Sequence, residues 1–114
     1  MNNLAYLREE KENLEVSYSI AQIWEAIPKA ISKLEWEIKE TDETTHHIRV
    51  KTKGAFLSYP SLMNIDLSVL TEKTTRMSIA AETPVTTITA MIDVGRTRDR
   101  IDQFVITLAK LMGG

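Results

Sequence analysis

Two periodicities organise the first third of the chain. Apolar and polar residues alternate over 14–18, which is typical of a strand with one buried face. Apolar residues then recur at helical spacing over 20–34, directly after Ser19 and Gln22, which have the spacing of a capping box. Pro28 lies inside this predicted helix. Because proline lacks a backbone donor, we expect a kink there.

Alternation resumes in four segments separated by polar turns. These predicted strands lie near residues 35–39, 48–52, 63–69 and 77–81. A second apolar stripe at helical spacing begins near Asp93 and ends at Gly113. Between them, the segment 83–92 has the β-branched content of a strand and also a helical spacing, so the pattern leaves strand and helix open.

This order of elements predicts an α+β fold, β-α-β-β-β-β-α. We expect a curved antiparallel sheet of about five strands, with a kinked first helix and a long C-terminal helix packed on one face. Residues 1–11 show weak periodicity and a charged run. We therefore expect a flexible N-terminal arm over 1–11 and a single domain over 12–114.

Part of the sequence resembles a known superfamily. LEVSYSIAQIWEAI (14–27), a strand that leads directly into a helix with an Ile-Trp pair, resembles the beginning of helix-grip proteins, the START and birch-pollen-allergen-like superfamily. LEWEI (34–38) and IDVGRTRDRIDQF (92–104) are similar to small prokaryotic domains of the same plan, and the order of elements is shared with TATA-binding-protein-like folds. The resemblance covers about residues 13–112. It implies a sheet that grips the C-terminal helix, with room for a small apolar or lipid-like ligand between them in the longer members.

Composition excludes several classes of function. The net charge is −2 and the pI is about 5.7, so the chain has no global positive field to attract nucleic acid. It has no cysteine, which excludes disulfides and thiolate zinc sites. No apolar run approaches the roughly 20 residues of a membrane span. We therefore expect a cytoplasmic protein with no membrane insertion and no nucleic-acid partner.

Histidines and catalytic motifs also indicate little chemistry. His46 and His47 are adjacent and point to opposite faces of a strand, so they cannot share one metal ion. The sequence has no nucleophile elbow, Gly-rich phosphate loop or pair of carboxylates in an apolar setting. We predict no enzyme activity, no metal site and no cofactor.

Three arginines mark the start of the last helix. Arg96, Arg98 and Arg100 oppose the helix dipole, which favours anions at that end. A bound phosphate or carboxylate would compensate, with Arg98 best placed at the edge of the apolar stripe and the other two on the solvated side. Neighbouring aspartates compensate equally well, and Asp93 is a suitable N-cap. We favour the self-neutralised helix start and keep the anion site as the alternative.

A basic stripe follows the third predicted strand. His47, Arg49, Lys51 and Lys53 share one of its faces. Folding this strand back through the turn places Glu37 near Arg49 and Glu35 near Lys51, so we interpret these charges as cross-strand pairs and not as a nucleic-acid surface.

The loop GAFLSYPSLM (54–63) is too apolar for a free surface loop. Phe56, Leu57, Tyr59 and Leu62 are candidate interface residues, and the same residues also suit the mouth of a pocket or a bulged strand packed on the core.

Two functions from different classes follow. The first is a non-catalytic protein-interaction or self-associating module, with a homo-oligomer as the expected partner. The alternative is a binder of a small apolar or lipid-like molecule between the sheet and the C-terminal helix. The candidate lining residues for that ligand are Trp24, Trp36, Ile38, Ile65 and Phe104.

Overall fold

The computed structural model describes residues 4–86 and 88–113. The elements are β1 (Leu4–Val16), α1 (Ile20–Lys33), β2 (Glu37–Asp42), β3 (His47–Lys51), β4 (Leu62–Thr71), β5 (Thr74–Thr86), α2 (Thr89–Ile92) and α3 (Arg96–Leu111). The predicted α+β fold is confirmed, with a short helix α2 inserted before the C-terminal helix α3.

The five strands form one antiparallel sheet in the order β1-β5-β4-β3-β2. Strand β5 lies between β1 and β4 and pairs with both, so that Ile79 lies opposite Glu12 of β1 and opposite Ile65 of β4. Residues that lie directly opposite each other share a face of the sheet. The buried residues of β5 alternate from Thr75 to Val85, and this face carries both long helices.

The core between the helices and the sheet is filled with side chains. Helix α3 contributes Ile101, Phe104 and Leu108, which are almost completely buried. Each fully buried side chain of this size stabilises the fold by roughly 1.5–3 kcal/mol. The core cluster also contains α1 and sheet residues: Ile23, Ala26, Ile27, Ala30, Ile31, Ile48, Val50, Met63, Ile65, Leu67, Met77, Ile79 and Ala81.

Helix α1 begins at the capping box that the sequence predicts. The backbone N–H of Gln22 donates to the Ser19 hydroxyl, and the Gln22 side chain accepts from the Ser19 backbone. The helix then continues through Pro28 as one element. Its buried residues lie on one side and Pro28 lies on the exposed side, where solvent can hydrate the carbonyl that the proline leaves without a donor.

The N-terminal segment differs from the expected flexible arm. Residues 4–11 belong to β1 and pair with β5, while residues 1–3 lie outside the described part of the chain. The side of β1 that faces α3 carries Arg8, Glu10 and Glu12. Inward-facing charges on an edge strand discourage pairing with another chain, and they also remove the apolar alternation that identifies a strand in sequence.

The segment 83–92, for which the sequence pattern leaves strand and helix open, contains both. Its beginning completes β5, and Thr89–Ile92 forms α2. Thr86 and Thr89 exchange hydrogen bonds, with the Thr86 backbone N–H donating to Thr89 Oγ1 at 2.7 Å and the Thr89 N–H donating to Thr86 Oγ1 at 3.1 Å. This reciprocal capping turns the chain from strand to helix.

The charges of β2 and β3 pair in a different register from the predicted one. Glu37 lies opposite Lys51, and an irregularity after Ile38 places Glu40 opposite Arg49. Glu35 instead forms an ion pair with Lys53, which lowers the pKa of Glu35 through a hydrogen bond and charge attraction.

Within the described ranges, no helix has the length and apolar character needed to cross a membrane.

Candidate functional site

A buried polar cluster lies at the N-terminal end of α3. Its members are Ser58, Ser61, Thr83, Asp93, Thr97 and Arg100, all of which are buried. They come from the loop after β3, from β5 and from the α2–α3 segment. The cluster therefore joins three parts of the chain that are distant in sequence.

Arg100 is the centre of this cluster, and the prediction that it faces solvent is wrong. It is only 5% exposed, because it lies on the same side of α3 as Ile101 and Phe104. Its Nη1 donates to the Tyr59 carbonyl at 3.0 Å and to Ser61 Oγ at 2.7 Å. Burial lowers the pKa of Arg100, and the charge of Asp93 opposes this shift.

Asp93 has a different role from the expected helix cap. Gly95, with φ of 80°, is the N-cap of α3 and provides no side-chain cap, while Asp93 is completely buried. Its Oδ1 accepts a hydrogen bond from Ser58 Oγ, and that hydroxyl accepts from Arg100 Nη2 at 3.1 Å. The other oxygen, Oδ2, lies 3.7 Å from Arg8 Nη1 and has no hydrogen-bond partner. Asp93 is thus a buried acid held between two arginines.

Hydroxyl groups complete the cluster. Ser61 Oγ and Thr83 Oγ1 are 2.5 Å apart, and Thr83 Oγ1 and Thr97 Oγ1 are 2.7 Å apart. The Ser61 backbone N–H donates to Thr52 Oγ1 at 2.9 Å. Since buried hydrogen bonds of this kind rigidify the groups that they connect, the loop after β3 is held firmly against α3.

The other two arginines have separate partners. Arg96 Nη1 donates to the Phe56 carbonyl at 2.8 Å. Arg98 Nη2 lies 3.2 Å from Glu12 Oε2 and Arg98 Nε lies 3.5 Å from Asp102 Oδ1, and the hydrogen bond that Arg98 donates to Glu12 raises the pKa of Arg98. Arg96 and Arg100 therefore both donate to the loop after β3, whereas Arg98 pairs with β1 and with Asp102, and this geometry gives no support to one anion site built by all three.

An exposed apolar surface lies on the two segments, 56–59 and 88–94, that are joined by hydrogen bonds at the buried polar cluster. We call it the apolar rim, and its residues, each between 40% and 81% exposed, are Phe56, Leu57, Tyr59, Ile88, Met91, Ile92 and Val94. Three of the four predicted interface residues belong to it. The fourth, Leu62, is half-buried on β4 and lies opposite Lys51 and Glu82, on the sheet face away from the helices.

The second half of the apolar rim is not evident from the sequence. Ile88, Met91 and Ile92 belong to the segment 83–92, whose secondary structure the pattern leaves open, and Val94 belongs to the apolar stripe that predicts the last helix. The available signal was the number of large apolar residues in that segment, which exceeds what one buried face of a four-residue helix can accommodate.

Backbone contacts fix the conformation of the loop that carries Phe56. Ala55 and Ser58 exchange backbone hydrogen bonds of 2.9 and 3.0 Å, and Leu57 between them has φ of 56°. A Cβ atom on Gly54 would lie 3.1 Å from the Ser58 carbonyl oxygen, so this position favours glycine. A cleft of about 230 Å³ separates the loop from α2, and its lining residues are Ala55, Leu57, Ser58, Tyr59 and Thr89.

The predicted ligand-lining residues lie elsewhere. Ile65 and Phe104 are fully buried in the core, and Trp24 and Trp36 are half-buried against it. Ile38 lies on the edge strand β2 and is 40% exposed. None of these five side chains lines the cleft beside the apolar rim. Among the described residues no group of three His, Asp or Glu is placed to hold a metal ion.

Comparison with known proteins identifies the fold. No protein-family model matches the chain, and no curated protein matches it. A truncated norcoclaurine synthase from Thalictrum flavum is similar in structure, with a TM-score of 0.70 and 14% identity over 98% of this chain and 96% of that one. A protein from Bacillus thuringiensis has a TM-score of 0.70 and 9% identity over 94% of this chain and 100% of that one. The chain therefore has the helix-grip fold that its sequence resembles.

Other solved structures are also similar to this chain. The aromatase/cyclase Zhui from a Streptomyces species has a TM-score of 0.57 and 10% identity over 92% of this chain and 93% of that one. The norcoclaurine synthase is also known in complex with dopamine and hydroxybenzaldehyde. At these identities the likeness shows the fold alone, because one fold supports many functions.

Proposed function

We propose that this chain is a non-catalytic interaction module that docks onto another protein through the apolar rim. The observation that carries the proposal is the amount of apolar surface that the rim exposes. If a fully exposed large apolar residue presents on the order of 200 Å², the seven rim residues together present roughly 850 Å². Monomeric proteins rarely expose an apolar patch larger than about 300–600 Å², and a standard interface takes about 800 Å² from each partner.

The buried polar cluster supports a structural role beneath this surface. The Ser58 hydroxyl is engaged by both Asp93 and Arg100, and Arg100 is engaged by the Tyr59 carbonyl. These bonds hold the loop in one conformation, which lowers the entropy lost when a partner orders the surface. The cluster thus makes the apolar rim a preorganised docking surface.

Photo-crosslinking from the apolar rim tests the proposal. With p-benzoylphenylalanine in place of Phe56, irradiation of cells that produce the protein is expected to give a discrete protein adduct, identified by mass spectrometry. The reason is that Phe56 belongs to the proposed surface and is 80% exposed. The adduct is expected to disappear when Met91 is also replaced by Asp, because an unpaired carboxylate in an apolar interface is costly.

The matched control places the same crosslinker at Val69, which is 60% exposed on the hairpin between β4 and β5. Equal adducts from both positions, or none from Phe56, would contradict the proposal.

A second candidate function is binding of a small apolar or lipid-like molecule between the sheet and α3. It is supported by the fold, since a structural neighbour is known with small aromatic molecules bound. The ligand would contact Trp24, Trp36, Ile38, Ile65 and Phe104. Because Phe104 and Ile65 are fully buried and in the same core, α3 must move away from the sheet to admit it.

Native mass spectrometry tests the second candidate. A retained ligand is expected to appear as a reproducible extra mass on gently purified protein. Its removal is expected to change the fluorescence of the two tryptophans, since both pack against the core that the ligand would enter. A protein that carries no adduct, and whose fluorescence is unchanged by added fatty acid, would rule out this candidate.

A further inference from the structure

We infer that the protein docked on the apolar rim is a second copy of this chain, arranged about a twofold axis. This inference rests on the proposed function, because it names the partner of the same surface. Three properties of the surface support it: its charge, its shape and its area.

The charge of the apolar rim suits a symmetric interface. The segments 54–60 and 88–92 contain no charged residue. The nearest acid, Asp93, is completely buried and turned toward Ser58 and Arg8, so it does not face a partner. In a twofold interface each patch meets its own copy, and a patch with one sign of charge would repel itself. The rim side chains are themselves uncharged, and the neighbouring cations Arg96 and Arg8 are bound to the Phe56 and Ala90 carbonyls, so the apolar patch meets this requirement.

The shape of the surface favours a protein side chain over a free small molecule. Phe56 and Met91 are the most exposed rim residues, and they belong to the two segments that border the cleft. The cleft of about 230 Å³ is below the low end, about 300 Å³, of typical small-molecule sites. Its walls include the apolar side chains of Leu57 and Tyr59. We place the partner copy's Phe56 or Met91 in this cleft, so that each copy contributes one protruding side chain and one cleft.

The area of the apolar rim is sufficient for a stable dimer. With roughly 850 Å² from each copy, the total buried area is close to that of a standard interface, ~1,600 Å². The β1 edge of the sheet is a poorer place for self-association. The exposed β1 edge carries charged residues on both faces, including Arg8, Glu9 and Lys11, which oppose the addition of another strand.

Sedimentation equilibrium on the purified full chain tests the inference. The wild-type chain is expected to show a concentration-dependent monomer–dimer equilibrium. Met91→Asp and Phe56→Asp are each expected to raise the dissociation constant by on the order of 30–100-fold, as for residues at the centre of an interface. Both side chains are largely exposed in the monomer, so we expect both variants to fold. Val69→Asp, a substitution at an exposed apolar residue outside the rim, is expected to leave the dissociation constant unchanged.

Three outcomes overturn the inference. The first is a chain that stays monomeric at its highest soluble concentration. In that case an adduct to a different protein in the crosslinking experiment would still support the proposed function. A dimer that persists in both rim variants also overturns it. So does binding of the monomer to phosphatidylcholine vesicles that is lost in Met91→Asp, since the rim would then serve a lipid surface.

Discussion

Replacing Arg100 with methionine is expected to lower the free energy of unfolding by about 3–5 kcal/mol, the usual cost of removing one partner from a buried charged network. The substitution leaves the Tyr59 carbonyl and the Ser61 hydroxyl without their donor. It also leaves the buried Asp93 with Ser58 and Arg8 as its remaining partners. Urea denaturation followed by circular dichroism measures the change.

Arg98→Met is the matched control on the same helix. The Arg98 side chain is 36% exposed and pairs with Glu12 and Asp102 near the surface. Surface ion pairs contribute about 0–1 kcal/mol, so we expect a correspondingly small loss. The double variant Arg100→Met with Asp93→Asn is expected to lose less free energy of unfolding than the two single variants lose in sum, because neither charge is then buried alone. Equal losses from Arg98→Met and Arg100→Met would contradict the role of Arg100 in the core.

Replacing Phe104 with alanine is expected to cost about 3–5 kcal/mol, because the substitution removes buried contacts and leaves a cavity. Phe104 is fully buried between α3 and the sheet. The control, Ile106→Ala, removes an apolar side chain that is 54% exposed on the same helix, and we expect a change within about 0.5 kcal/mol. The same denaturation experiment compares the two variants.

The Phe104 variant also distinguishes a packed core from a ligand cavity. A cavity lined by apolar side chains stays dry and accepts small apolar molecules such as benzene. We therefore expect benzene to raise the thermal midpoint of Phe104→Ala and to leave that of the wild-type chain unchanged. A rise in the wild-type chain would instead favour the second candidate function, binding between the sheet and α3.

Regular elements with one apolar face can be predicted from the sequence. Strands β4 and β5 were predicted from alternation, and α1 and α3 from helical spacing, because each of these elements buries one side against the same core. The order of these elements was then enough to predict the antiparallel sheet with helices on one face, and the resemblance of 14–27 pointed to the same fold.

Elements whose inner face is polar cannot be predicted from the period of apolar residues. The sequence predicts an arm over 1–11, because the inner positions of β1 within this range include Arg8 and Glu10. These charges are acceptable there because β1 is an edge strand and Arg8 forms an ion pair with Asp93. Nothing within residues 4–11 alone indicates that partner, since it lies almost the whole length of the chain away.

The sequence predicts only half of the apolar rim. Phe56, Leu57 and Tyr59 stood out because they are apolar residues in a loop with turn-forming neighbours. Met91 and its neighbours did not, because exposed and buried apolar residues look alike in a segment without a clear period. The adjacency of the two segments follows from the Arg96–Phe56 and Ser58–Asp93 hydrogen bonds.

By itself, the sequence determined the α+β class, the order of the long elements, the capping box of α1 and the apolar character of the 54–63 loop. These features depend on local propensity and on the period of apolar residues, both of which are properties of a short stretch of chain. Only the tertiary structure decided the place of Arg100. A charged residue is normally solvated, and Arg100 is buried because carbonyl and hydroxyl groups about 40 positions earlier in the chain take the place of water around it.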